Sequence, residues 1–221
     1  MQVFGRIWYG VQVNVPRNGR LHAVVLLSLF IGFAGMTMAF AAPSPLPEPG
    51  DVYPDVPDWS RARVLHIGDS QVSGGYKAGL AAHLSKTAAA FHQETWVGSR
   101  SKSWVISGKA ARLVREFHPN VVIITLGTNI IKYDHPEREL SWVRALIDRM
   151  PGTLLCYWIG PPPLIPDEHG YNEMMAKSVS PCRYFDTRSL GFPLRNDGKF
   201  HLSRTQGALW AEKVWRFMNG H

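Results

Sequence analysis

Residues 121 to 126 read Val-Val-Ile-Ile-Thr-Leu, a run that is apolar or β-branched on whichever side alternate side chains point. A strand with no polar face must be covered on both sides, as a central strand of a parallel sheet is covered by helices. The sequence around this run fits that demand. Residues 64 to 67, Val-Leu-His-Ile, form a second apolar run, and Val72, Tyr76, Leu80 and Leu84 then recur every fourth residue, as one face of a helix does. A weaker strand is expected over 94 to 97, and Ala110, Leu113, Val114 and Phe117 mark a helix that ends before Pro119. Pro136 can open a helix whose buried face is Leu140, Val143, Ile147 and Met150. Residues 153 to 159 make a fourth strand that stops at Pro161-Pro162-Pro163, and residues 183 to 185 a short fifth. The last helix starts at Ser203, where Ser203 and Gln206 form a capping box. Strand and helix alternate throughout, which predicts an α/β fold: a three-layer α/β/α sandwich on a central parallel sheet, with ligands at the carboxyl ends of its strands.

Composition supports one folded domain. Hydrophobic residues make up 45% and charged residues 19% of the 221-residue chain, which excludes general disorder. The formal charge of +7 suggests a polyanion partner, but Arg6, Arg17 and Arg20 all precede the first acidic residue, so much of the surplus belongs to the leader. No Lys/Arg run, aromatic RNA-binding signature or zinc-finger spacing accompanies it, and nucleic-acid binding is not expected.

Arg17, Arg20 and His22 stand before an uncharged stretch from 23 to 42, which gives way to Pro43-Ser44-Pro45. Ala39-Phe40-Ala41 fits the small-x-small pattern of a cleavage site, yet about 20 apolar residues also suffice to span a bilayer. Residues 1 to 42 are therefore a signal peptide or an uncleaved N-terminal membrane anchor. In either case, basic residues ahead of the segment place the remainder outside the cytoplasm, in the periplasm or secreted. Residues 43 to 61 hold six prolines and read as an extended linker, leaving 62 to 221 as the folded domain. Cys156 and Cys182 both fall in the exported part, where an oxidising compartment allows them to pair. Two buried free thiols are the alternative, and no zinc site can be built around them.

The chemistry-bearing residues follow the predicted strands. Gly68-Asp69-Ser70 comes after the first, with Gly permitting a sharp turn and Ser70 beginning a helix with its hydroxyl exposed and its N–H unpaired. Negative charge developing beside such a serine is favoured by the helix terminus. Gly98-Ser99-Arg100-Ser101 follows the second strand and Gly127-Thr128-Asn129 the third, each offering an amide at the same edge. Asp197 and His201 lie just ahead of the last helix. Taken singly, each block is ordinary cap or turn chemistry. It is their order that carries information.

That ordered set resembles the SGNH/GDSL hydrolases, whose four blocks correspond here to Gly68-Asp69-Ser70, Gly98, Gly127-Thr128-Asn129 and Asp197 to His201, over essentially all of residues 62 to 221. Two departures are visible: Asp197 precedes His201 by four residues where the family usually has three, and Gly98 follows Trp96-Val97 without an Asn-rich lead. The resemblance implies a flavodoxin-like sandwich and cofactor-free hydrolysis of carboxylic esters. His201 would take the Ser70 proton, Asp197 would orient the imidazole, and water would cleave the acyl-enzyme. The backbone N–H groups of Ser70 and Gly98 and the side-chain amide of Asn129 would hold the oxyanion. Trp104 and Tyr133, shortly after the second and third blocks, are the aromatic residues expected to line the cleft. The extracytoplasmic address and the absence of a long apolar lid in the sequence suggest removal of small acyl groups, acetyl above all, from envelope or extracellular glycans. A lipid esterase at the membrane and a non-catalytic envelope-binding protein are the alternatives.

Overall fold

The computed structural model describes residues 57–151, 154–193 and 200–221. The leader over 1–42, linker residues 43–56 and Asp197 lie outside these described residues.

Five strands form one parallel sheet: β1 Arg63–Gly68, β2 Ala90–Thr95, β3 Val121–Thr125, β4 Leu155–Ile159 and β5 Arg183–Phe185, in the order β2-β1-β3-β4-β5. β3 is the middle strand and every one of its residues is buried. Its alternation divides the core. Val121 and Ile123 face one layer with Val64, Tyr157 and Trp210, while Val122 and Ile124 face the other with Leu65, Trp158 and Trp104. The apolar-on-both-faces reading of this run thus corresponds to two separate hydrophobic clusters, one on each side of the sheet.

Helices α1 Gly74–Thr87 and α6 Arg204–Met218 cover the first face. Tyr76, Leu80 and Leu84 are fully buried beneath α6, each contributing roughly 1.5–3 kcal/mol by leaving water. The two helices touch closely where Gly207 meets α1. A Cβ on Gly207 would stand 2.7 Å from the Tyr76 backbone nitrogen, so only glycine lets them approach this far. Three residues beyond Gly207 on α6, Trp210 stacks on the ring of the same Tyr76 with centroids 4.0 Å apart. α6 begins with the expected capping box: Gln206 N–H donates to Ser203 Oγ at 3.2 Å, and Ser203 N–H to Gln206 Oε1 at 3.1 Å. This cap fixes the direction from which the residues before α6 approach the sheet.

The opposite face carries α2 Ser101–Ile106, α3 Lys109–Phe117, α4 Leu140–Ile147 and α5 Tyr171–Ser178. A disulfide joins Cys156 on β4 to Cys182 just ahead of β5, with Cα atoms 4.4 Å apart. Among the described residues no helix is long and apolar enough to cross a membrane.

The structure shifts several sequence boundaries. β2 starts at Ala90 rather than 94, because its six residues are all half-buried on an edge strand and show no apolar period. Pro136 opens a short 3-10 turn, Pro136–Glu139, and α4 proper begins at Leu140. The folded body also reaches back beyond residue 62. Trp59 packs on Trp215 with ring centroids 4.8 Å apart, and its indole N–H donates to Asn219 Oδ1 at 2.9 Å.

Candidate active site

Three loops leave the carboxyl ends of β1, β2 and β3, and the segment before α6 returns to meet them. They enclose a cleft of 350 Å³ lined by Ser70, Gly98, Thr128, Asn129, Tyr133 and His201, among others. Residues up to 131 positions apart in sequence therefore converge at the sheet edge where a parallel α/β fold binds ligands.

Ser70 does not begin α1. The helix starts at Gly74, and Ser70 sits in a tight turn in which Val72 N–H donates to the Asp69 carbonyl at 3.1 Å. Asp69 is the reason. Its side chain is buried to 1% exposure and accepts the Gln71 N–H at 2.9 Å, with the Gly127 and Thr128 N–H groups also directed at it. Having spent its carboxylate on three amides from two loops, Asp69 closes the turn before a helix can propagate. Burial raises its pKa to about 6, even though those amides favour the charged form. The turn leaves Ser70 half-buried at the cleft wall.

Gly98 adopts φ 73°, a left-handed conformation that costs glycine little and other residues much. Among the described residues no group accepts the backbone N–H of Ser70 or of Gly98. Both donors belong to residues of the same cleft, where an unsatisfied N–H is a ready anion ligand. Asn129 supplies the third amide. Its Nδ2 lies 2.9 Å from the Ser99 carbonyl oxygen and 3.4 Å from Asp69 Oδ2, which fixes the side chain between the first and second loops.

His201 lines the cleft together with Ser70. The two segments are joined next to these residues: the Gln71 side-chain amide donates to the Phe200 carbonyl, tying the neighbour of Ser70 to the neighbour of His201. Asp197, the expected orienting acid, lies outside the described residues.

The two aromatic residues separate. Tyr133 is 41% exposed at the cleft wall, with the Arg100 guanidinium 5.8 Å above its ring. Trp104 does not line the cleft. It is completely buried, packed edge-on against Trp96, and its indole N–H donates to Ser99 Oγ at 2.9 Å. The physical reason is that α2 turns its apolar side inward at this position, so Trp104 braces the second loop from behind. Sequence reasoning gave Asp69 only a capping role and passed over Gln71. The signal available was an acid directly between the strand and the serine, a position that the sheet edge buries.

No protein-family model and no curated protein matches this sequence. Solved structures do match. An alpha/beta hydrolase enzyme from the metagenome of Lake Arreo, Spain, superposes with a TM-score of 0.56 at 17% identity, covering 72% of this chain and 95% of that one. Axe2, an acetyl xylan esterase from Geobacillus stearothermophilus, gives 0.56 at 14% identity over 74% and 96%. The lipase/acylhydrolase from Enterococcus faecalis gives 0.54 at 16% identity over 72% and 96%. At such identities the likeness is one of architecture, and with its parallel sheet order and the loops that carry Ser70, Gly98 and Asn129, the chain has the fold of the SGNH/GDSL hydrolases.

Proposed function

We propose that the chain is a serine esterase of the SGNH/GDSL group. The observation that carries this reading is the cleft that combines Ser70, His201 and two backbone N–H groups with no acceptor among the described residues. Ser70 Oγ attacks the ester carbonyl carbon as His201 removes its proton. The N–H groups of Ser70 and Gly98 receive the charge that forms on the carbonyl oxygen. Asn129 joins them by giving up its long contact with Asp69 and keeping the one to Ser99. His201 then protonates the departing alkoxide, and the acyl group on Ser70 is transferred to water in a second round of the same chemistry. Asp197 orients His201 in this scheme.

The substrate reading is removal of small acyl groups, acetyl first, from glycans outside the cytoplasm. The acetyl xylan esterase among the structural neighbours supports the acyl part. The basic, apolar and Ala-x-Ala order of residues 1–42 supports export, and so does the Cys156–Cys182 disulfide, which suits an oxidising compartment.

The test uses p-nitrophenyl esters from acetate to palmitate with wild-type protein, Ser70→Ala and Asp197→Asn, alongside fluorophosphonate labelling. Hydrolysis strongest on acetate, lost in Ser70→Ala and after labelling of Ser70, is expected. A maximum at long chains points to a lipid esterase instead, and full activity in Ser70→Ala removes the mechanism. A nearly wild-type rate in Asp197→Asn leaves a Ser–His dyad.

A further inference from the structure

A second cleft, of 530 Å³, adjoins the one that holds Ser70. Arg100, Lys132 and Tyr133 line both, so the two clefts meet at these side chains and together make a groove along this edge. The added part brings in Lys102, Arg138 and Trp142. Four permanent cations thus line a groove that ends at the candidate nucleophile.

Their partners are unusual. Among the described residues none of Arg100, Lys102, Lys132 and Arg138 has a carboxylate within ion-pair distance, unlike Arg144, Arg188 and Arg216 on other faces, whose carboxylates lie at 3.2, 2.7 and 2.8 Å. Three of the four rest on aromatic rings instead: Arg100 over Tyr133 at 5.8 Å, Lys102 over Trp142 at 5.4 Å and Lys132 over Phe200 at 5.9 Å. Such contacts hold a cation in place for about 0.5–1 kcal/mol without neutralising it.

The groove's two acids, Asp134 and Glu139, offset these four charges only in part. Glu139 is 5% exposed, and its carboxylate accepts the Lys102 backbone N–H at 3.2 Å; it also interacts with the charges of Arg100 and Lys102, without closing to ion-pair distance, and so offsets one of the four. Asp134 turns outward, its side chain 88% exposed and 3.6 Å from His169. Positive charge therefore dominates the groove, and its aromatic floor offers flat apolar faces between the cations.

We propose that this groove is a binding subsite for the anionic part of the substrate, so that the ester cleaved at Ser70 stands on an anionic glycan rather than a neutral one. A regularly charged sugar chain, bearing carboxylates or phosphodiesters, presents anions to the lysines and arginines and ring faces to Tyr133 and Trp142. The proposal rests on the serine-esterase reading for its location beside Ser70, but the binding it describes needs no catalysis.

The experiment is calorimetric titration of the full chain with three unacetylated probes: a uronic acid tetramer, a glycerol phosphate tetramer and a neutral xylose tetramer. At least one anionic probe should bind tenfold or more tightly than the neutral one. That affinity should fall about tenfold between 50 and 300 mM NaCl, as screening of exposed charges requires. It should be lost in the double variant Lys102→Gln, Arg138→Gln and recovered in Lys102→Arg, Arg138→Lys, which separates charge from folding. Which anionic probe wins identifies carboxylate or phosphate as the source. Equal affinity for the neutral tetramer, or indifference to salt and to the double variant, overturns the subsite. Because these titrations do not involve Ser70, a dead esterase with salt-sensitive anion binding would refute the catalytic reading alone. An active esterase without that binding would refute only the groove.

Discussion

The side-chain amide of Asn129 donates to a carboxylate oxygen of Asp69 at 3.4 Å, across 60 residues of sequence. The same carboxyl group receives the N–H of Gln71 and those of Gly127 and Thr128, so a single buried acid holds the Ser70 turn and the Asn129 loop in register. Asp69→Asn replaces one acceptor oxygen by an NH2 group that faces other donors. We expect kcat to fall about tenfold to a hundredfold, less than the roughly hundredfold to thousandfold that outright removal of an oxyanion donor costs, with little change in KM. The pH dependence separates positioning from general damage. Because the Asp69 carboxyl is pushed up to about 6, acid protonates it in the wild type and imitates the substitution, so the ratio of wild-type to variant kcat should shrink as pH falls through 6. A ratio independent of pH would remove Asp69 from this role.

His66 lies on β1, between the edge strand β2 and the middle strand β3, and is completely buried. Gln93 Nε2 can only donate, so at 2.9 Å from Nδ1 it fixes that nitrogen as the acceptor, and Nε2 carries the proton toward Thr125 Oγ1 at 3.0 Å. Burial pushes the imidazole pKa down to about 3, so the folded protein stays unprotonated here while the unfolded chain takes up a proton below about 6.5. Stability from this site is therefore lost as pH falls from about 6.5 toward 3. Asp69 works in the opposite direction: its folded carboxyl keeps a proton up to about 6, whereas the unfolded one releases it near 3.8, so acid favours folding over that interval. Between about pH 6 and 4 the two nearly cancel. In His66→Gln the Asp69 contribution stands alone, and the variant's stability relative to wild type should rise by roughly 1.4 kcal/mol per pH unit on acidification from 6.5. Urea unfolding at pH 6.5 and 4.5 measures it, and a constant difference between the two proteins would contradict the argument.

The Cys156–Cys182 bridge closes a loop with a sequence separation of 26 that contains α5 and the proline-rich segment after β4. Closing a loop of this length is expected to contribute about 3 kcal/mol by restricting the unfolded chain. Both cysteines are buried, so Cys156→Ala with Cys182→Ala should lower the thermal midpoint by several degrees and leave the architecture intact. Equal midpoints for oxidised and reduced protein would show that the packing of α5 alone holds this segment.

The elements legible in the sequence are those whose pattern was set by burial. The β3 run, the Val64 to Ile67 core of β1 and the Ser203/Gln206 cap stand where they were expected, since each combines a local signal with a single compatible environment. Helix α2 escaped notice. Its six residues, Ser-Lys-Ser-Trp-Val-Ile, are too few to show a period, and its start coincides with loop residues that read as a turn. α5 follows a left-handed Gly170 and proline-rich chain, where turn signals outweigh eight residues of mixed polarity. That Ser70, Gly98, Asn129 and His201 meet at one cleft was legible because each follows or precedes a recognisable element. The work of Asp69 was not, because an acid ahead of a helix looks the same whether it caps one amide or gathers amides from two loops.

Trp104 and Tyr133 test the distinction between bracing the site and lining it. Trp104→Phe preserves most of the buried volume but removes the indole N–H that Ser99 Oγ accepts, leaving a hydroxyl at 1% exposure without its donor. A lost buried hydrogen bond of this kind costs about 1–3 kcal/mol. Since the carbonyl of the same Ser99 anchors Asn129 at 2.9 Å, the loosened loop should also lower kcat severalfold. It should do so equally for p-nitrophenyl acetate and for acetylated oligosaccharide, because Trp104 touches neither. Tyr133→Ala should behave in the reverse way. An exposed ring carries little of the fold, so stability should stay within about 0.5 kcal/mol of wild type. Removing the face beneath Arg100 should instead raise KM for the oligosaccharide severalfold, and much less for the small ester. Urea midpoints together with kcat and KM on both substrates decide the matter. A Trp104→Phe protein of unchanged stability with a raised KM for the oligosaccharide alone would return Trp104 to the cleft wall.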